Sequence, residues 1–538
     1  MRTTLEKNGI FLIALCLLFP ALLINLGTMT FIDDEAIRAL VALEMKLSGN
    51  FITPTLHGAF YYNKPPLFNW VLLAFFEVSG KFDEMTARMP TVLALLGYAW
   101  IVFAVFRKYY GVQTGFLVAF ATITCGRILF WDSMLALIDI LFSGLIFSLF
   151  IFTFKYSSRE KWGTLFLGTY ALTAVAFLLK GLPALVFQGI TLVVVLSWQG
   201  SFRRLFSWAH VAGVALFVSA VGTYYAVYAQ YNGLEVVFET LLRESSKRTV
   251  AAHGIWKTVR HVFTFPVEML YHFFPWSFLM VYSFDRNFLD WLRKDRFLSF
   301  LTLVFLANVS VYWISPGVFP RYLLMFAPLV FGVGIRLHEW HGARQTKLFR
   351  AMHIFFLVLL LALALVSWSP LFLERLDGIA HRMEKTLFLG IAMLAVLFFL
   401  GRDKKNRVTA LVLALLLGRI GFNWFVIPDR NAHDFGNLCR VSSKTVGAKW
   451  KEKELLVYKE TDMQPTNSFY LTVARGKIIR RSSGAVDKKA GYIIEGKAYP
   501  RVSYTRIDSI LVRHGRRTFD IGVLTKEDTR RESRLTPR

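Results

Sequence analysis

The sequence predicts an all-α polytopic membrane protein of about 13 transmembrane helices. It also predicts a helical region in the first extracytoplasmic loop and a small C-terminal soluble domain of α/β or mainly β type. Three observations lead to this fold class. The 538-residue chain is 55% hydrophobic, and apolar runs of about 17 to 22 residues recur, each long enough to cross a hydrocarbon core. Basic residues gather between these runs, and the chain from residue 428 onward has mixed polarity with short alternating segments typical of strands.

The apolar runs predict the spans in order. They lie near residues 11–29, 88–106, 112–130, 132–154, 163–179, 183–198, 208–228, 266–284, 297–314, 319–335, 351–369, 386–401 and 408–426. The first run follows a basic segment, as in a signal peptide, but no small-residue cleavage site follows it, so we interpret it as a retained helix. Residues 67–78 form a shorter run that begins after Pro66, which favours an interfacial helix over a span.

Lysine and arginine in the short loops predict the orientation. The N-terminus and the basic loops around residues 107–108, 155–161, 203–204, 286–296, 336–350 and 402–407 fall on one side, which is therefore the cytoplasm. An odd number of spans places the C-terminal region outside. The predicted domains are residues 1–427, which hold the spans and an extracytoplasmic loop at 30–87, and residues 428–538.

Charge and cysteine content exclude some classes of protein. The net charge of +26 would suggest nucleic acid as the partner of a soluble protein. Here much of that charge lies in short loops between apolar runs, where it sets topology, so no nucleic-acid partner is expected. The three cysteines, Cys16, Cys125 and Cys439, form neither a disulfide framework nor a zinc motif of cysteine type.

Polar residues that are costly beside a membrane fall on the predicted outer side. In the first loop these are Asp34, Glu35, Arg38, Tyr61 and Lys64; further along the chain they are Asp132, Lys180, Arg243, Glu244, Arg248, His253, Arg321 and Tyr322. Their convergence predicts one polar cavity at the outer leaflet. Cations bind and neutralise phosphate oxygens, and a carboxylate can accept the proton of an attacking hydroxyl or amine. The set therefore suits a phosphate-bearing substrate and an acceptor.

The sequence of roughly residues 10–340, which contains these polar residues, resembles a known family. The matching motifs are Asp34-Glu35, Glu44-Met45, Ser48-Gly49, Gly58, Tyr61 and Lys64-Pro65, then Leu179-Lys180-Gly181 and Pro320-Arg321-Tyr322. They resemble the GT-C type of lipid-dependent glycosyltransferase, and are most similar to bacterial 4-amino-4-deoxy-L-arabinose transferases of lipid A and protein O-mannosyltransferases. The resemblance implies an enzyme of the bacterial inner membrane that works at the outer face. It would transfer a sugar, with inversion, from a polyprenyl-phosphate donor to a glycolipid like lipid A, a polysaccharide or a protein.

The resemblance also implies roles for individual residues. Asp34 is the candidate catalytic carboxylate, and either Asp132 or Asp139 is the second. Lys64, Lys180 and Arg321 would bind the donor phosphate. The other implied substrate-binding residues are Glu35, Arg38, Tyr61, Arg243, Arg248 and Tyr322, although residues 243–248 also read as a basic loop that faces lipid.

The chain departs from the family pattern at two positions. Asn63 stands where the arabinose transferases carry a metal-ligating Glu, and Ile37 stands where the family often has Arg. His253 resembles the family's second metal ligand, but a neutral amide is a poor partner for it. The sequence therefore predicts no definite cofactor. Binding of a divalent metal stays an alternative, which the neutral Asn63 side chain disfavours.

Two other classes of function compete with this interpretation. A transporter or lipid flippase would place ionisable residues near the bilayer midplane and often shows two related halves; no internal repeat is visible, and the charges gather at one interface. A membrane anchor would leave all binding to residues 428–538. In that case Asp34 would have no role.

Overall fold

The structure, a computed structural model, describes residues 2–32, 34–246, 254–404, 406–482 and 489–525. It divides into two compact units. The first unit contains residues 1–28, 62–68 and 88–429, and the second contains residues 29–61, 69–87 and 430–538. The predicted domain boundary near residue 428 stays a prediction. Most of the loop at 30–87, which was predicted to belong to the domain 1–427, lies in the second unit, and only residues 62–68 lie in the first.

The first unit is built from helices. Its α-helices are Arg2–Leu23, most of Glu84–Tyr110, Val112–Thr124, Gly126–Phe130, Asp139–Ser157, Trp162–Lys180, Pro183–Trp198, Trp208–Tyr228, Glu235–Ser246, Ile255–His272, Phe288–Lys294, Arg296–Trp313, Ala327–Ala343, Lys347–Val366, Arg382–Val396 and Arg407–Gly421. Short 3₁₀ segments at Asp132–Met134, Trp276–Phe284 and Pro320–Phe326 interrupt them. The core is apolar and aromatic; Trp276, for example, is fully buried and donates its indole N–H to Thr124 Oγ1 at 3.0 Å.

Within the described residues, nine helices are long and apolar enough to cross a membrane. A tenth is counted if Val112–Thr124 and Gly126–Met134, bent by 48°, form one broken span. The predicted multi-pass fold is confirmed, but the predicted count of about 13 is not. The helix at Pro183–Trp198 has only 16 residues, and the run at 266–284 is not one helix, because an α-helix ends at His272 and a 3₁₀ segment begins at Trp276.

The second unit combines a mixed sheet with helices. Its strands are β1 (Thr55–Leu56), β2 (Ala59–Phe60), β3 (Leu455–Val457), β4 (Arg480–Arg481), β5 (Gly491–Ile494), β6 (Tyr504–Val512) and β7 (Arg517–Leu524). Its α-helices are Glu35–Ser48, most of Leu67–Ser79, most of Ile427–His433, Phe435–Lys449 and Pro465–Arg475. The five-stranded sheet has the order β4-β3-β5-β7-β6, parallel at β3 and antiparallel at β7.

The core of this sheet is contributed by strands and helices together. Val446 and Leu471, from the two helices of the C-terminal segment, pack with Ile493, Ile510 and Phe519 of the strands, and all five are buried. Of the two predicted alternatives for the C-terminal segment, the structure therefore shows α/β. The short helix predicted at 67–78 is also present, as Leu67–Ser79.

Candidate functional site

A buried cluster of charges lies in the first unit. Lys180 Nζ is 2.6 Å from Asp139 Oδ1, and Arg321 Nε is 3.7 Å from the other oxygen of the same carboxylate. All three residues are at least nine-tenths buried. Buried charges are tolerated only when they are paired, and the Asp139 carboxylate is a partner of both cations.

Local sequence explains how the members of this cluster are placed. Lys180 is the last residue of its helix, which ends at Gly181 with φ +82°, a conformation that favours glycine. Pro183 then starts the next helix, where proline is preferred because no backbone donor is lost. Asp139 lies in the first turn of its helix, where a carboxylate is favoured by the helix dipole. Arg321 follows Pro320 in a 3₁₀ turn.

Aromatic rings complete the surroundings of the Lys180 ammonium group. Its Nζ is 4.1 Å from the centroid of the Tyr322 ring and 4.9 Å from that of Phe142. Rings at this distance attract a cation electrostatically. Lys180 is thus held from several sides, which restricts where its ammonium group can lie.

Lys180 and Tyr322 also line a cavity of about 400 Å³ in the first unit. Lys64, Asn63 and Glu244 add polar groups to its wall. The rest of the wall is largely apolar and consists of Leu182, Pro183, Val186, Phe187, Leu241, Val311, Tyr312, Ile314, Ser315 and Val318. Two lysines beside an apolar wall can hold an anionic head group and the start of a hydrocarbon chain together.

The two candidate second carboxylates have different partners. Asp139 belongs to the cluster with Lys180 and Arg321, whereas Asp132 accepts two hydrogen bonds from Arg127, at 2.9 Å from Nε and 3.0 Å from Nη2. Arg127 was not among the sequence-predicted site residues. Its only signal in the sequence is a position five residues before Asp132, inside the bent span.

In the second unit, three of the predicted residues have local partners. The Glu35 carboxylate is fully buried and accepts the Ile32 N–H at 2.7 Å. Arg38 donates to the Tyr61 hydroxyl at 3.0 Å, and both residues are buried. Asp34 is half-buried immediately before the helix Glu35–Ser48. The structure therefore gives Glu35 a clear part in holding its own turn.

Glu44 organises the hairpin of the same loop. Its fully buried carboxylate accepts hydrogen bonds from Thr55 Oγ1 (2.8 Å), His57 N (2.7 Å) and Gly58 N (3.1 Å). Burial, partly opposed by these hydrogen bonds, raises the pKa of Glu44 above its usual value. His57 Nε2 in turn lies 2.7 Å from Ser468 Oγ. The motif residues Glu44 and Gly58 thus shape the loop.

The remaining predicted residues either do not line the cavity or lie outside the part of the chain that the structure describes. Arg243 lies exposed on the helix Glu235–Ser246 and does not line the cavity. Arg248 and His253, the predicted metal ligand, lie outside the described residues. Within the part of the chain that the structure describes, no three His, Cys, Asp or Glu side chains lie together as a metal site requires.

Comparison with known proteins agrees with this architecture. The family model described as "Dolichyl-phosphate-mannose-protein mannosyltransferase" matches residues 63–225. An uncharacterized protein of Aquifex aeolicus is 24% identical over 393 residues, which cover 72% of this chain and 73% of the relative. An undecaprenyl phosphate-alpha-4-amino-4-deoxy-L-arabinose arabinosyl transferase of Proteus mirabilis is 24% identical over 196 residues, 35% of this chain and 34% of the relative. The match to this transferase therefore spans about a third of its length.

The fold is shared with a solved structure. ArnT from Cupriavidus metallidurans, crystallised with undecaprenyl phosphate, superimposes with a TM-score of 0.70 over 96% of this chain and 98% of ArnT, at 15% sequence identity. The resemblance to GT-C glycosyltransferases that the sequence predicted is confirmed, and this chain has the ArnT fold.

Proposed function

We propose that this protein is an integral membrane glycosyltransferase that takes a sugar from a polyprenyl-phosphate carrier and passes it to an extracytoplasmic acceptor. The observation that carries the proposal is the buried Asp139–Lys180–Arg321 cluster beside a cavity with an apolar wall. The donor has the matching chemistry, an anionic phosphate joined to a long hydrocarbon chain. The ArnT crystal structure that shares this fold is described as bound to undecaprenyl phosphate.

The proposed reaction is a single displacement at the anomeric carbon. A hydroxyl or amine of the acceptor forms a bond to that carbon while the bond from the carbon to the phosphate oxygen breaks. The electron pair of the broken bond leaves with the polyprenyl phosphate, and the proton of the nucleophile moves to a carboxylate. Attack from the face opposite the leaving group inverts the anomeric centre.

In this reaction the cations act on the leaving phosphate. Negative charge builds up on the phosphate oxygens as the bond breaks, and fixed cations stabilise that charge without reorganising. Lys180, held by Asp139 and Tyr322, is already in place, and Lys64 lines the same cavity. We assign both lysines and Arg321 to the phosphate, and we assign Asp139 as the residue that positions Lys180 and Arg321.

The acid–base role is assigned to Asp34, on the strength of the motif that it begins. A carboxylate within hydrogen-bond reach of the acceptor can accept its proton. Arg38, Tyr61 and Glu35 support the helix that follows Asp34 through the contacts described above. Asp132 remains a candidate for the second carboxylate, held by Arg127.

We place the protein in the bacterial inner membrane, with the reaction and the C-terminal domain on the extracytoplasmic side, as the basic loops predict. The acceptor classes that remain are a glycolipid like lipid A, a polysaccharide and a protein. Arg243, Arg248 and Tyr322 are assigned to substrate binding on the family resemblance, and His253 to a metal if one is bound.

Binding of undecaprenyl phosphate, measured by native mass spectrometry on detergent-purified protein, tests the proposal. Wild-type protein should bind it, and Lys64→Ala/Lys180→Met should bind at least tenfold more weakly because two charges that contact the phosphate are lost. Lys257→Ala is the matched control, since Lys257 is exposed in the same unit and does not line the cavity. Equal binding by wild type and the double variant would contradict the proposed donor site and would favour a transporter or a membrane anchor.

A further inference from the structure

A second cavity in the first unit is lined by positive charge. Its volume is about 610 Å³. Six basic side chains line it, against one carboxylate, Asp295: Lys108, Lys155, Arg159, Lys294, Arg296 and Arg336. It shares no lining residue with the cavity at Lys180, so it is a separate site.

The basic residues come from four different parts of the chain. Lys108 and Lys155 lie near the ends of the candidate spans Glu84–Tyr110 and Asp139–Ser157, with Arg159 just beyond the second, and Lys294 and Arg296 lie at the start of Arg296–Trp313. Arg336 reaches the cavity from inside the span Pro320–Ala343. Three span ends and a fourth span therefore meet at the cavity. A span ends where the hydrocarbon ends and the lipid head groups begin, so the cavity lies at head-group depth, on the side that the sequence predicts to be cytoplasmic.

The one carboxylate that lines this cavity, Asp295, already has hydrogen-bond and ion-pair partners within the protein. Asp295 Oδ1 accepts hydrogen bonds from the Tyr110 hydroxyl and from the Leu298 N–H, both at 3.0 Å. Its other oxygen lies 3.8 Å from Arg336 Nε. Arg336 is also paired with Glu339, at 2.8 Å through Nη1. These contacts make Asp295 a cap and an organiser of the wall.

The cations retain unmet binding capacity. Arg336 Nε is buried and has no hydrogen-bond acceptor among the described residues. Lys108, Arg159, Lys294 and Arg296 are exposed, and no ion pair is found for any of them within the described chain. Aromatic rings also line the cavity, and two of them, Tyr109 and Phe297, are stacked at 3.9 Å. Cations together with aromatic rings match a phosphate attached to a glycerol and acyl chains.

We propose that this cavity binds the phosphate head group of an anionic phospholipid. Topology alone requires basic residues on this side, but it does not require them to converge on one cavity from four spans, one of which supplies a guanidinium donor without an acceptor among the described residues. Basic pockets between spans on the cytoplasmic side recognise anionic head groups. The bound lipid would tie the four spans together from the leaflet opposite the proposed glycosyl-transfer site.

Lipid titration of the full-length protein in detergent, followed by native mass spectrometry, tests the assignment. Wild-type protein should bind phosphatidylglycerol or cardiolipin at least tenfold more tightly than phosphatidylcholine of the same acyl chains. Each basic residue at an anionic head group contributes roughly a fivefold gain in affinity. The variant Arg159→Gln/Lys294→Gln/Arg296→Gln should therefore bind the anionic lipid about a hundredfold more weakly.

The matched control is Arg203→Gln/Arg204→Gln/Arg286→Gln, which removes three exposed charges on the same predicted side but outside the cavity. It should change affinity less than twofold. An equal loss in both variants would show diffuse charge attraction and overturn the proposal. Displacement of the lipid by millimolar inorganic phosphate would identify free phosphate as the ligand and overturn the lipid assignment.

A second measurement needs no variant. A photoactivatable phosphatidylglycerol should crosslink wild-type protein to the peptides that contain residues 155–159 and 294–296. Crosslinks confined to other peptides would overturn the proposal even if the triple variant failed to fold.

Discussion

The Asp139–Lys180 pair permits a test that separates stability from binding. Lys180→Met removes the partner 2.6 Å from a carboxylate that is only 6% exposed. Removing one member of a buried ion pair costs about 3–5 kcal/mol because the other charge stays buried. Arg321, 3.7 Å from the same carboxylate, remains, so we expect a cost near the lower end, about 3 kcal/mol in the free energy of unfolding.

The double variant Lys180→Met/Asp139→Leu provides the second half of the test. With both charges of the pair removed, part of the lost stability should return. The recovery should be incomplete, because Arg321 loses the same carboxylate partner. Binding of undecaprenyl phosphate should not return, because the cation that we assign to the phosphate is still missing. The readouts are denaturant unfolding in detergent micelles and lipid binding by native mass spectrometry.

The result that refutes the reasoning is additivity. If Lys180→Met and Asp139→Leu destabilise independently and their effects sum in the double variant, the two side chains do not interact as described. Recovery of lipid binding together with stability would show that Lys180 acts only as a structural partner of Asp139. Lys257→Met is the control for a lysine without a buried partner and should change the unfolding free energy by less than about 0.5 kcal/mol.

Three further predictions follow from the site and its supporting loop. Asp34→Asn should lower transfer by about 10²–10⁴-fold, as loss of a general base does, with an unchanged unfolding curve; exposed Asp290→Asn is the control, and full activity in Asp34→Asn would refute the role of Asp34. EDTA should leave transfer unchanged, because Asn63 stands where the arabinose transferases that the sequence resembles carry an acidic ligand; inhibition reversed by zinc or magnesium would contradict this. Burial, aided by the charge of Arg481, lowers the pKa of His57 from 6.5 to about 4. The folded protein therefore takes up the proton less readily than the unfolded chain, and the free energy of unfolding is highest above pH 6.5. It should fall by up to about 3 kcal/mol as the pH drops toward 4. His57→Asn should reduce this pH dependence of unfolding, and an identical pH profile in the variant would contradict the assignment.

Much of the fold follows directly from the order of apolar runs, because a long apolar helix requires only local sequence. The span count did not follow, since the helix breaks at Cys125 and between His272 and Trp276 leave the hydropathy of the run unchanged. Hydropathy measures how apolar a segment is, and it contains little information on where the backbone turns. The sequence therefore predicts a polytopic protein more securely than it predicts the number of crossings.

The residues of the candidate site were also only partly predictable from the sequence. Lys180 and Arg321 were predicted from their motifs, and the structure places both beside Asp139. That pairing joins residues 41 positions apart, which no spacing rule in a single sequence can reveal. Arg127 was missed because an arginine in an apolar run has no distinctive pattern, and its importance becomes visible only through its two hydrogen bonds to Asp132.

The composition of the second unit has a consequence for how the protein is made. His57, in the loop that begins with Asp34, bonds to Ser468, 411 positions later, and Glu84 accepts hydrogen bonds from Arg440 and Tyr470. At ribosomal rates of about 5–20 residues per second, the early loop waits roughly 20–80 s for these partners. The Asp34 loop is therefore completed only by residues synthesised some hundreds of positions later, and a protein truncated before residue 430 would leave that loop without these partners.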